Sequence, residues 1–137
     1  MAEVTTPVHA APEMTIAKVW LSFEGRIGRS TWWMKYILPY IGISIALFII
    51  DRILGTTYVI DEYTGQTQGY LGLIWGLANI WFGLAAGAKR FHDRNKSGWW
   101  QLLWLLPIIG WIWLLVELGF LRGTTGANRF GPDPVVE

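Results

Sequence analysis

The residue types able to do chemistry gather in one stretch, "KRFHDRNKSGWW" (89–100), where Arg90, His92, Asp93 and Arg94 stand between two apolar runs. A histidine that accepts a proton, beside arginines that grip a phosphate, would suit a membrane enzyme acting on a lipid headgroup. The spacing works against that assignment. Neighbouring helical residues point about 100° apart, so Asp93 is badly placed to orient the His92 ring as a triad acid does. The nearest hydroxyl, Ser97, fits better as the N-cap of the helix that "SGWW" begins. A metal site would need three or four ligands; His92 and Asp93 fall short and His9 lies in a loose tail, so no metal or cofactor is expected. The structural alternative is a helix end where Asp93 pairs with Lys89 at i, i+4 and Arg90 at i, i+3.

What must position this cluster is a set of membrane helices. The chain has 137 residues, 53% of them hydrophobic and ten of them Trp, with a mean hydropathy of +0.34. A chain this short cannot bury so much apolar surface in one aqueous core, so lipid is the natural solvent. A span takes about 20 mostly apolar residues. Three runs qualify: Trp32 to Ile50, Tyr70 to Ala88, and Trp99 to Leu121. Ahead of them, Ile16, Val19, Trp20 and Phe23 recur at helical spacing and predict a short amphipathic helix in the membrane interface, stopped by Gly25. Ser30 reads as the N-cap of the first span. The expected fold is all-α: three transmembrane helices after an interfacial helix, one domain over 13–137 behind a disordered tail, 1–12. Around "YTGQ", the 51–69 connection suggests a small β-hairpin. Residues 122–134 form an ordered, turn-rich tail. In the second span, Gly72, Gly76, Gly83 and Gly87 make two G-x-x-x-G patterns, which invite a neighbouring helix to pack closely.

Charge sets the orientation. Eight of the eleven Lys and Arg residues flank the first span's start or fill 89–98, against Arg52, Arg122 and Arg129, so the N-terminus and the cluster belong in the cytoplasm. The pairs Trp32–Trp33 and Trp99–Trp100 then form an aromatic belt on that face. Trp111 and Trp113 fit poorly, since three full spans put them in mid-membrane with no headgroup to reach. A hairpin turning at Pro107–Gly110 would bring the tail back and make the split ten to one. Such a turn would have to hide its backbone polar groups within protein. Three crossings, with Pro107 kinking the third, are therefore expected.

Four motifs in order, "FEGRIGRSTWW", "RFHDRNKSGWW", "LLPIIGW" and "GTTGANRFGPDP", resemble the bacterial YhaH-type inner-membrane proteins, a family filed as domain of unknown function 805. Phe91 stands where that pattern has Leu. The resemblance covers about 18–134 and implies a small helical protein of the bacterial cytoplasmic membrane, without a settled activity.

Read from the residues, Arg26, Arg29, Arg90, Arg94 and Lys96 form a basic ring at headgroup level, suited to anionic lipid phosphates. Ser97, Gly98, Trp99, Trp100, Pro107, Asn128, Arg129, Phe130 and Asp133 carry the structural motifs. Glu117, an acid inside a span, is a further catalytic or proton-relay candidate, expected to pair with Arg52 or Arg122. The function expected is a non-catalytic module that binds anionic lipid, or an accessory subunit with a membrane-protein partner or a second copy. A net charge of +1 gives no reason to expect nucleic acid.

Overall fold

A computed structural model describes residues 14–134; the tail 1–12 and His9 lie outside them. The first long helix, α2 (Arg29–Leu54), and a second, α3 (Tyr70–Asp93), are both long and apolar enough to cross a membrane. Before them, α1 (Ile16–Leu21) begins at Thr15, whose hydroxyl accepts the Lys18 amide hydrogen. Gly28, not Ser30, caps α2.

Pro39 explains how α1 is attached. Proline has no N–H to give the carbonyl four residues back, that of Lys35. Around this point α2 widens into a π turn over Trp33–Ile37, and the Trp20 indole donates to Lys35 O at 2.8 Å. Trp20 thereby occupies the position the helix vacates, packed edge-on to Tyr36 and Phe82. Val19 and Trp20 are buried in the bundle rather than turned to an interface, while Ile16 stays exposed.

Between α2 and α3, β1 (Thr57–Asp61) pairs antiparallel with β2 (Gln66–Gly69), Thr57 opposite Gly69. At the turn, Asp61 accepts from the Thr64 hydroxyl and the Tyr63 amide, which hold its carboxyl below the usual carboxylate range. Asp51, near the end of α2, reaches across to the first turn of α3. Its carboxylate accepts Leu71 N at 3.1 Å, Gly72 N at 3.0 Å and the Thr56 hydroxyl at 2.6 Å. A carboxylate there satisfies orphan amides and faces the positive end of the helix dipole. Gly69 makes room for it, since a Cβ would stand 1.9 Å from Asp51 Oδ2. Asp51→Ala is expected to cost about 2 kcal/mol, at the upper end for a cap because Asp51 is buried. Chemical unfolding in detergent would check it; a loss no larger than that of the exposed Glu62→Ala would refute the assignment.

The third apolar run is not one helix. Gly98–Leu105 winds as a 3₁₀ arm, the chain reverses at Leu106–Ile108, and α4 (Ile109–Phe120) runs back beside it, ending in a π turn over Val116–Phe120. At about 2.0 and 1.5 Å per residue, the arms reach roughly 16 and 18 Å, well short of a 30 Å core. Trp100 stacks on Trp113 with centroids 6.5 Å apart, and Lys96 bonds Glu117 across the base. The expected third crossing thus gives way to the hairpin, because the turn satisfies most of its own backbone. Leu106 N bonds Leu103 O, Ile109 N bonds Pro107 O, and Gly110 N bonds Leu106 O. Pro107 has no amide hydrogen to place. The two misplaced tryptophans are part of this solution: Trp111 donates its indole N–H to Trp104 O, and Trp113 donates to Glu117.

The turn stores strain. Ile108 has φ 68° and ψ −69°, a tight three-residue turn that a β-branched side chain rarely tolerates. Ile108→Gly should therefore stabilise the hairpin by about 1 kcal/mol, read as a higher thermal midpoint in detergent. A lower midpoint would mean that Ile108's packing outweighs its strain.

Candidate functional site

The hairpin returns residues 117–131 to the end of α3, where a cluster of buried ions is built. Two guanidiniums flank one carboxylate. Arg26 and Arg90 are 4% and 0% exposed and Asp93 is 3% exposed, with Asp93 3.0 Å from the first and 2.9 Å from the second. An arginine carries five N–H bonds, and each arginine here engages all of them. Arg26 Nε donates to Asp93 Oδ1; Nη1 donates to Gly126 O and Gly131 O; Nη2 donates to Thr124 O and Asp93 O. Arg90 Nε donates to Leu118 O; Nη1 donates to Ile27 O and Asp93 Oδ2; Nη2 donates to Glu117 O and Leu121 O. The cluster carries one net positive charge, which faces carbonyls at the negative end of α4.

A second node lies alongside. Glu117, 4% exposed, pairs with Arg94 at 2.5 Å and Lys96 at 2.6 Å, not with Arg52 or Arg122. Lys89 is fully buried and turns from Asp93 to the last carbonyls of α1, those of Lys18, Val19 and Ser22. A cation there complements that helix end. Of the two pairs expected at the end of α3, only Arg90–Asp93 forms.

His92 is held by a hydrogen bond and a ring stack. A carbonyl can only accept, so Nδ1 donates to Gly25 O at 2.9 Å. The ring lies flat on Phe130, with centroids 4.0 Å apart, and the Arg129 guanidinium lies over the other partner of that stack, 4.7 Å from the Phe130 centroid. Asn128 donates to His92 O and Asp93 O, and Arg129 to Asn95 O. Asp133 accepts Gly126 N and closes the tail loop. Ser97 accepts Trp99 N and caps the 3₁₀ arm. Gly98 sits against Ala88, and Gly123 against Asp93, where a Cβ would stand 1.8 Å from Oδ2.

The other expected sites separate. Of the basic ring, Arg26 and Arg90 are consumed inside, Arg94 and Lys96 face Glu117, and Arg29 is exposed with one bond to Phe120 O. Trp32 is 5% exposed within the bundle and Trp33 donates to Gly119 O, so that pair is packing, not a belt. Trp99 is 78% exposed. The glycines of α3 receive side chains instead of a helix backbone: Asp51 at Gly72, Tyr36 at Gly83 and Gln101 at Gly87, while Gly76 faces open space. No group of three or more potential metal ligands occurs among the described residues.

The family model described as "Protein of unknown function (DUF805)" matches residues 20–132. The chain belongs to this family. This DUF805 chain is 36% identical over 124 residues to the inner membrane protein YhaH of Escherichia coli K12, covering 90% of this chain and 96% of that one. It is 34% identical over 122 residues to the inner membrane protein YhaI of the same strain, covering 88% and 92%. It is also 30% identical over 146 residues to the uncharacterized protein YiiR, covering 88% and 90%. No solved structure matches it. Its relatives' names and its own apolar helices make this DUF805 member a mostly helical inner-membrane protein. The matched region starts at Trp20 and ends at Pro132, so it contains both arginines, Asp93 and the tail carbonyls that Arg26 grips. Sequence reasoning missed Asp51 and Lys89, whose partners are backbone groups that carry no residue signature.

Proposed function

We propose that the chain is a non-catalytic inner-membrane module: two crossing helices and a re-entrant hairpin, latched on the cytoplasmic face by the Arg26–Asp93–Arg90 cluster. The observation that carries this reading is that every guanidinium donor of the cluster is spent on the chain's own oxygens. A phosphate could enter only by displacing a carbonyl, which removes the grip that the enzymatic alternative needs. The cations left outward, Lys18, Arg29, Arg122 and Arg129, are exposed on that side and suit anionic headgroups, each contributing about 1 kcal/mol. The exposed apolar surface of α2 and α3 could also receive a larger membrane complex or a second copy. Purification in mild detergent followed by lipid and protein mass spectrometry tests the module reading. Retention of neither anionic lipid nor a reproducible partner would refute it.

The hairpin supports a cytoplasmic orientation for the cluster. With the tail returned, ten of the eleven Lys and Arg residues lie on one side and Arg52 alone on the other, the charge bias of a cytoplasmic face. The chain has no cysteine, so single cysteines report cleanly. Introduced at Tyr63, cysteine should react with an impermeant reagent on intact spheroplasts; at Thr125 it should be protected until lysis. Reaction at Thr125 before lysis would restore a third crossing.

A further inference from the structure

The chain is not equally thick from one end of its long helices to the other. Where the ion cluster lies, three elements stand beside α2 and α3: α1, the 3₁₀ arm and α4. Lys89 and Trp81 hold α1 there, through the carbonyls of Val19 and Leu21. The arms start at the same end, with Gly98 against Ala88 and the Gln101 amide donating to Leu84 O. At roughly 16 and 18 Å long, they reach only the middle of α3, where Trp104 and Leu105 border the same space as Gly76 and Ile80. Beyond that point α2 and α3 run on with exposed apolar side chains, such as Phe48, Ile49, Ile53, Tyr70 and Ile74. The β1–β2 loop at the far end carries Asp61, Glu62, Gln66 and Gln68. It is too polar to add area within the hydrocarbon.

The outer sides of both arms are apolar and bare. Leu102, Leu105, Ile109, Ile112 and Phe120 are all exposed, and no ionisable side chain stands between Trp99 and Val116. Lipid must cover them, and on this geometry it is lipid of a single leaflet. A helix about 10–12 Å across takes roughly 80–110 Å² of that leaflet. Two arms take about twice that on one side of the bilayer and nothing on the other, and α1 adds to the same side. A leaflet given more area than its partner bends to become the convex one. Interfacial helices are curvature-sensitive for a related reason. We propose that this chain favours a bilayer curved so that the leaflet holding the ion cluster is convex. The inference rests on the module reading above, in which that leaflet is cytoplasmic; the preferred surface is then one that bulges into the cytoplasm.

The test uses the full chain carrying a dye on Thr125→Cys or, separately, on Tyr63→Cys, both exposed positions. Each is reconstituted in mixed orientation into giant phosphatidylcholine vesicles, so attraction to anionic headgroups does not enter. A narrow tube drawn outward makes the outer leaflet convex. An impermeant quencher added outside silences the external dyes. The Thr125 sample then reports molecules with the cluster inward, and the Tyr63 sample those with it outward. Outward molecules should be enriched in the tube relative to a lipid dye, and inward ones depleted. Each orientation thus serves as the control for the other. Sorting of the same sign in both samples would reflect size or thickness and overturn the proposal, as would no sorting in either. The spheroplast labelling of Tyr63 and Thr125 decides the topology by itself. A third crossing there would overturn both readings, whereas absent or same-sign sorting with two crossings upheld would overturn the curvature preference alone.

Discussion

Replacing Arg90 with methionine is expected to unfold the half of the protein that holds the ion cluster. The substitution keeps an unbranched chain of comparable bulk but removes five hydrogen bonds, orphaning the carbonyls of Ile27, Glu117, Leu118 and Leu121. It also leaves Asp93 with Arg26 as its remaining counter-ion. Breaking a buried ion pair by removing one partner costs roughly 3–5 kcal/mol, a large part of the 5–15 kcal/mol that separates folded from unfolded domains. Arg90→Lys should fall between the two. Its ammonium keeps the charge, but three donors cannot serve five acceptors fixed for a planar fork. The measurement is the unfolding midpoint in detergent, compared with Arg122→Met, an exposed arginine on the same face. Equal shifts in the two variants would remove the cluster from the account of stability.

Gly110→Ala is expected to open the hairpin. The new Cβ would stand 1.9 Å from Leu103 O and 2.9 Å from Leu103 C, both backbone atoms of the opposing arm. Overpacking usually costs 1–3 kcal/mol where side chains can shift; here the main chain itself must move, so the loss should lie at or above about 3 kcal/mol. The arms would separate first at the turn and then at Trp100 and Trp113. Paired cysteines at these two positions should form a disulfide under mild oxidation in an otherwise native background and fail to do so with Gly110→Ala added. Undiminished cross-linking would mean that the arms approach each other less closely than the structure has it.

The residues show why some of this was legible and some was not. Continuous apolar length revealed α2 and α3, because backbone satisfaction in lipid leaves a helix little choice. The same criterion misled at 99–121. A run of 23 residues is long enough to cross, yet length is only a necessary condition. The contrary signals were present in Trp111, Trp113, Pro107 and the ten-to-one charge split. They were outweighed by the backbone cost of a turn in mid-membrane, a cost that the bonds of Leu106, Ile109 and Gly110 lower. The cluster was found by residue type, but its meaning was not. Arg26 and Arg90 look like anion binders in sequence because charge is visible there. Their partners are mostly main-chain carbonyls, which every residue has and no sequence pattern marks. Asp51 escaped notice for the same reason, since it serves the amides of Leu71 and Gly72.

The bonds of Arg26 also impose an order in time. Its acceptors at Thr124, Gly126 and Gly131 lie 98, 100 and 105 residues further along the chain. At a synthesis rate of about 5–20 residues per second, Arg26 waits roughly 5 to 20 seconds for them after it is made. The two long apolar helices and the loop between them are complete well before the tail leaves the ribosome. The latch is therefore the last event of assembly, and a chain cut short after Leu121 would reach the membrane with its helices formed and Arg26 still open to water.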